Sequence, residues 1–136
     1  MTVRRQTDCE LVIETPHRRL GTIERPLVTI RRGLGHVLVE DKRGKGDPLR
    51  LPLERAETVR LVPAARAGLH GWRRGGDRWT VVLRFKSGED LLLEQGLEST
   101  SALALATTVC DLCGLSLDEP SRRMFGLADV VQGAES

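Results

Sequence analysis

The sequence predicts a mainly β protein of the α+β class, in which an antiparallel bent sheet or open barrel of about seven strands is capped by one C-terminal helix. Three observations predict this fold. Short apolar, β-branched segments separated by glycine and proline occupy residues 9–94. The apolar period changes to that of a helix after residue 99. The length of 136 residues suits one domain with a sizeable core.

Residues 9–94 contain a series of segments with strand character. Pro52 restricts one of them to a sheet edge or an irregular strand, because proline cannot donate a ladder hydrogen bond. In the clearest segment, Trp79, Val81, Leu83 and Phe85 alternate and share one face. One or two of the segments before Leu49 must merge to give a sheet of about seven strands. The candidate segments are Cys9–Thr15, Arg19–Glu24, Leu27–Arg31, His36–Glu40, Leu49–Leu53, Thr58–Val62, Gly68–Arg74, Arg78–Phe85 and Glu89–Glu94.

A helical stripe of apolar residues predicts a helix over residues 99–113. Ser99 is a suitable N-cap, and Gly114 is the residue type expected where a helix ends. We expect residues 1–117 to form one barrel domain whose wet end this helix covers. The stripe consists of Ala102, Leu105, Ala106, Val109, Leu112 and Cys113.

Residues 118–136 are predicted to form a C-terminal tail, with a short amphipathic helix from about residue 121 to residue 131. The apolar spacing suits docking on the domain or on a neighbouring subunit. We expect removal of residues 120–136 to leave the fold intact and to alter oligomeric state or partner binding. The candidate protein-contact residues of this tail are Met124, Leu127, Val130 and Val131.

The order of segments in the second half resembles bacterial pleckstrin-homology-like domains. A strand ends at residues 82–85 (Val-Leu-Arg-Phe), a turn follows at 86–88, a second strand occupies 90–93, and a helix ends at 112–115. The resemblance covers about residues 49–117 and lies in the topology, not in a motif. It implies a seven-stranded bent sheet with a capping helix, and a role as an interaction module for peptides, protein surfaces or acidic head groups.

The net charge of +2 conceals an uneven distribution. Residues 1–86 hold 19 basic and 10 acidic side chains, a net charge of +9, whereas residues 87–136 hold 2 basic and 9 acidic ones, a net charge of −7. This distribution is compatible with an anionic partner or with self-association between unlike faces, and equally with two solvated faces. The excess of arginine over lysine is typical of a high-GC bacterial genome.

A glycine-rich basic loop at residues 42–46 is the clearest candidate for anion binding. Its glycines free backbone N–H groups and its cations surround them, although a charged hairpin tip is also simply solvated. The arginine pairs at 18–19, 31–32 and 73–74, the last with Arg78, lie at the same end as this loop if the hairpins stack in register. The candidate anion or partner contacts are Lys42, Arg43, Lys45, Arg73 and Arg74, and Trp72 is a candidate protein anchor.

The sequence contains no recognisable catalytic, cofactor or metal motif. Cys110 and Cys113 form a C-x-x-C without a second ligand pair, and they lie near the C-terminus of the predicted helix, where the dipole disfavours a thiolate. The three histidines have no nucleophile at motif spacing. We therefore expect structural cysteines, no enzyme activity and no cofactor. The absence of an apolar leader or transmembrane stretch predicts a cytoplasmic location.

The predicted function is a protein–protein interaction or scaffold role in a bacterial assembly, including self-association. One alternative is an anion-binding module that uses the basic loops to bind acidic lipid head groups or nucleic acid. A second alternative is a small barrel that carries an apolar ligand.

Overall fold

The computed structural model describes residues 3–63 and 78–126. The bounds of its strands and helices, in chain order, are β1 (Val3–Gln6), β2 (Glu10–Glu14), β3 (Pro26–Arg31), β4 (His36–Asp41), β5 (Leu49–Pro52), β6 (Ala56–Pro63), β7 (Trp79–Phe85), β8 (Asp90–Leu97), α1 (Ser99–Cys113) and α2 (Glu119–Met124). A single 3-10 turn at Leu53–Arg55 joins β5 to β6.

The strands form two antiparallel sheets, one of five strands in the order β1-β2-β3-β4-β5 and one of three in the order β6-β7-β8. The two sheets do not close into a continuous barrel, because no described strand of the larger sheet pairs with a strand of the smaller one. The predicted mainly β, antiparallel and open architecture with a C-terminal capping helix is confirmed. Eight strands are present in the described residues, against about seven predicted.

The core lies between the sheets and beneath α1. Alternate residues of each strand point inward, so β3 contributes Val28 and Ile30 while β7 contributes Val81, Leu83 and Phe85. The predicted apolar face of β7 is therefore confirmed, with Trp79 packed at its margin. Helix α1 contacts β3 and all three strands of the smaller sheet, and thus covers one opening between the sheets.

Helix α1 buries every residue of the predicted stripe except Cys113, which is partly buried, and it ends as its sequence indicates. Gly114 has a φ of +70°, and the Leu115 N–H donates to the Cys110 carbonyl at 3.0 Å, which is the pattern of a Schellman cap. The predicted N-cap is wrong by one residue: Glu98 is the N-cap, its side chain makes no capping bond, and Ser99 is the first helical residue. None of the described helices is both long and apolar enough to cross a membrane.

Two predicted strands differ from the structure. Residues 19–24 form no strand in the described region, because Gly21, with φ +58°, turns the chain so that Leu20 and Ile23 bond to each other at 2.9 Å. β1 was not predicted, since its polar residues pair only with β2 and across a register shift. The predicted strand at residues 68–74 lies outside the described residues.

The segment after α1 is attached to β6 instead of forming a free tail. Leu117 forms a parallel bridge with Val59, and the Leu61 N–H donates to the Ser121 hydroxyl at 2.8 Å. Helix α2 begins at Glu119 and ends at Met124, because Gly126 takes a φ of +69°. The predicted helix therefore begins two residues too late and is interrupted at Gly126, while its residues 127–131 lie outside the described residues.

Candidate functional site

A groove of about 540 Å³ lies where the two sheets part, and it is hereafter called the seam groove. It lies between the edge strand β5, the turn that joins β7 to β8, and the tight turn at residues 20–23. Its apolar lining consists of Leu20, Leu49, Leu51, Pro52, Phe85 and Leu91. A cavity of this size falls in the range of ligand and peptide pockets.

The strand register explains why apolar side chains reach the seam groove. Leu49 and Leu51 lie opposite Val39 and Val37, and directly opposed residues of an antiparallel pair point to the same face. They therefore face the core like their partners. No strand of the described residues pairs with the outer edge of β5, so Leu49 remains 40% exposed.

Two prolines limit the hydrogen bonding available at the free edge of β5. The Leu53 N–H donates to the Gly35 carbonyl, so the alternation of the ladder directs the N–H groups of Leu49 and Leu51 toward β4. The outward positions are then residues 48, 50 and 52, of which Pro48 and Pro52 have no N–H. Arg50 supplies the one outward donor, which disfavours the addition of an extended strand.

The rim of the seam groove carries more unpaired cations than unpaired carboxylates. Arg55 and Lys86 form no ion pair among the described residues. Asp90 is held by Arg84 through bonds of 2.8 and 3.1 Å, which lower the pKa of that carboxyl and raise the pKa of Arg84. Glu89 is the lining carboxylate left without a cationic partner in the described part of the chain.

The predicted anion loop already uses much of its binding capacity within the chain. The Asp41 carboxylate accepts the Arg43 N–H at 2.7 Å and the Glu24 N–H at 3.3 Å, and these backbone bonds lower its pKa. The Asp41 carbonyl accepts the Gly44 N–H, and the Lys42 ammonium pairs with Glu14 at 3.1 Å. The loop leads directly into Leu49 at the seam groove.

The predicted clustering of arginine pairs at one end is wrong for the pairs at 18–19 and 31–32, and the pair at 73–74 lies outside the described residues. Arg18 and Arg19 follow β2 at the end that carries the basic loop, whereas Arg31 and Arg32 lie at the opposite ends of β2 and β3. At that other end, where β3 finishes beside the start of β2, Arg31 pairs with Glu10. Arg32 pairs with Asp111 of α1 at 2.6 Å. Antiparallel pairing places successive turns at alternate ends, which the linear pattern of arginines does not reveal.

His17 connects the two sheets through the edge of β8. Its Nε2 accepts the Leu92 N–H at 3.0 Å, a bond that requires an unprotonated Nε2. Partial burial lowers the pKa of His17 and favours this neutral form. Its imidazole is thus engaged structurally.

The cysteine pair sits in a poor environment for a thiolate. Burial raises the pKa of Cys110 to about 12, with the Cys113 charge adding to the effect, and burial raises the pKa of Cys113 to about 11. Both side chains pack against the core. Among residues 3–63 and 78–126, no group of three or more histidine, cysteine or acidic side chains is placed to hold a metal ion.

Of the remaining predicted contact residues, one lies in the described part of the chain and the others lie outside it. Met124 is 49% exposed on α2, and together with Leu49 it is one of the two exposed large hydrophobic residues of the described chain. The others lie outside the described residues: Trp72, Arg73, Arg74, Leu127, Val130 and Val131.

No protein-family model matches the chain, and neither a curated protein nor a solved structure does. The seam groove itself escaped sequence analysis, because its walls come from distant segments. The signal that was available is the pairing of an apolar Leu-x-Leu with prolines on either side, which marks an edge strand with an apolar face.

Proposed function

We propose that the protein is a non-enzymatic protein-interaction module that binds an apolar segment of its partner in the seam groove. The observation that carries this proposal is the coincidence of an exposed core-facing leucine, Leu49, with an unpaired sheet edge. Exposed apolar surface beside polar rim groups is typical of protein-binding sites. The pleckstrin-homology-like resemblance, with its implied role in binding peptides or protein surfaces, supports the same class of function.

The edge chemistry favours binding through side chains. Since Arg50 offers the one outward N–H of β5, an added strand would gain few backbone bonds, whereas the leucines offer apolar area worth about 25 cal/mol per Å² buried. The unpaired cations Arg55 and Lys86 favour a partner segment with acidic residues beside its apolar ones.

Two other ligand classes compete for this chain. A carried apolar molecule would need an enclosed interior, but the space between the sheets is filled by packed side chains such as Leu61, Leu83 and Leu93. An anion would need free loop amides, and two of those in the basic loop donate to Asp41. Both observations favour the protein partner.

The test selects peptides from a random library against the full chain and titrates them against two matched variants. Leu49→Glu and Met124→Glu each place a charge at an exposed hydrophobic residue, one in the seam groove and one on α2. We expect Leu49→Glu to weaken peptide binding at least about tenfold and Met124→Glu to leave it unchanged.

Three results would contradict the proposal. These are the recovery of no binding peptide, equal binding by wild type and Leu49→Glu, and a lipid extracted with the native protein that occupies the groove. Thermal unfolding of both variants confirms that they are folded before binding is compared.

A further inference from the structure

We infer that the seam groove of one copy binds residues 127–131 of a second copy, which makes the protein self-associating. The inference rests on the proposed function of the seam groove as a protein-binding site and names its occupant. It follows from the apolar and charge complementarity of the two surfaces and from the distance between them within one chain.

Residues 127–136 have the composition that the seam groove favours. Leu127, Val130 and Val131 recur at i, i+3 and i+4, the spacing of one helical face, and they match the leucine-lined floor of the groove. Asp129 and Glu135 are the charged side chains of this segment, which contains no lysine or arginine. They complement a rim that presents unpaired cations.

The C-terminal segment runs away from the groove of its own chain. Leu117 contacts β6 at Val59, Ser121 at Leu61, and the Phe125 ring lies 4.7 Å from the ring of Trp79. In the β6–β7 register Val59 and Leu61 lie opposite Leu83 and Val81, and Pro63 lies opposite Trp79. Each contact is therefore farther from Phe85, which lines the groove.

The distance that remains is too long for the apolar residues to return. From Trp79 to Phe85, β7 extends for about 20 Å at a rise of ~3.3 Å per residue. A fully extended chain spans ~3.6 Å per residue, so Val131 reaches at most about 18 Å from Gly126 and Leu127 about 4 Å. Leu127, Val130 and Val131 cannot all reach the seam groove of their own chain, so together they can contact only the groove of another copy. Reciprocal insertion between two copies closes a twofold dimer.

The test measures the mass of the full chain in solution and uses variants that each spoil one half of the contact. Wild type is expected to form a dimer as concentration rises in sedimentation equilibrium. Leu49→Glu spoils the groove, and the double variant Val130→Asp with Val131→Asp spoils the segment. Each variant alone is expected to weaken dimerisation at least about tenfold.

Mixing the two variants in equal amounts provides the decisive control. One intact groove and one intact segment remain between them, so a mixed dimer with one working contact is expected to form more tightly than either variant dimer. This recovery also shows that both variants are folded. A monomeric wild type, or no recovery on mixing folded variants, would overturn the inference.

The two proposals can fail separately. If the wild type stays monomeric while a selected library peptide still binds in a manner sensitive to Leu49→Glu, the second copy is wrong as occupant and the interaction module stands. If neither the peptide nor a second copy responds to Leu49→Glu, both proposals fail.

Discussion

At the scale of single residues, His17 forms a hydrogen bond between the two sheets at a strand edge that has no neighbouring strand among the described residues. The edge of β8 faces no neighbouring strand in the described chain at Leu92, and the imidazole of His17 accepts the backbone N–H there. Glu14, Arg18, Glu24 and Arg25 line the same cavity as His17, so the surroundings of its imidazole are polar. The bond exists in the neutral imidazole alone, which makes the junction between the sheets sensitive to pH.

We predict that stability falls as pH decreases through the range in which His17 gains its proton. Because burial lowers the pKa of His17 below its usual value of 6.5, the unfolded chain binds the proton more readily. The free energy of unfolding therefore rises with pH across the window between the folded and the unfolded pKa of His17, and the contribution of His17 is lost once the pH falls below that window. Loss of the bond to Leu92 costs about 0.5–1.5 kcal/mol. Urea unfolding at about pH 7.5 and about pH 5.5 measures the difference.

One variant separates His17 from the other titrating groups. His17→Gln keeps an acceptor for the Leu92 N–H but cannot titrate, so its stability is expected to change less between the two pH values. The carboxyls of Glu10 and Asp90 have lowered pKa values, so they gain their protons at a more acidic pH than this window. An unchanged slope in His17→Gln would refute this role.

At the scale of secondary-structure elements, the segment after α1 protects the edge of β6. The Val59 N–H donates to the Ser116 carbonyl, and the Val59 carbonyl accepts the Asp118 N–H. The Asp118 carboxylate caps α2 and pairs with Arg60 at 2.9 Å. An exposed strand edge invites pairing with other chains, and here the chain covers it itself. Ser121 is 1% exposed, which makes its bond to Leu61 part of the core boundary.

We predict that this attachment, and not the residues after it, supports the fold. Below the concentration at which the wild type dimerises, a chain that ends at Gly126 is expected to keep the wild-type stability. A chain that ends at Leu115 is expected to lose at least about 2 kcal/mol, because Leu117, Ser121 and the contact with Trp79 are removed. Removal of residues 120–136 is expected to give an intermediate loss, in place of the unchanged fold that the sequence predicts. Denaturant unfolding measures each difference.

A point substitution tests the same attachment without truncation. Ser121→Ala leaves the buried Leu61 N–H unsatisfied and is expected to cost about 1–3 kcal/mol. Ser116→Ala, in the same segment but exposed, is expected to change stability by less than about 0.5 kcal/mol. Equal stabilities of the two variants would show that the Ser121 bond contributes nothing.

The elements that could be predicted from the sequence are those with a strong local pattern. Helix α1 and strand β7 have regular apolar periods, because each buries one face in the core and the buried positions recur at the helix or strand repeat. The turn at residues 20–23 and strand β1 could not be predicted, because pairing with distant residues decides whether a short polar or glycine-containing segment extends. The seam groove depends on the same long-range placement.

At the scale of the whole molecule, the uneven charge distribution is partly neutralised within the fold. Among residues 3–63 and 78–126, ion pairs join cations of the first 86 residues to carboxylates of the last 50. Four of them are Arg32–Asp111, Arg60–Asp118, Arg78–Glu98 and Arg84–Asp90. None of the four involves the basic loop at residues 42–46. No described carboxylate of residues 87–136 therefore neutralises the cations of this loop, which precedes Leu49 and lies outside the apolar floor of the seam groove.

This distribution predicts how salt acts on partner binding. Binding that depends on burying Leu49 and Leu51 is expected to weaken by no more than about threefold between low and high salt, because exposed rim charges contribute little and are screened. Binding driven by phosphates at the basic loop would fall by orders of magnitude over the same range. Replacing Lys42, Arg43 and Lys45 together by alanine is accordingly expected to leave the affinity for a groove-binding peptide within about twofold of wild type. A steep salt dependence that disappears in this triple variant would instead assign the binding to the loop, since the apolar contacts of the groove are identical in both proteins.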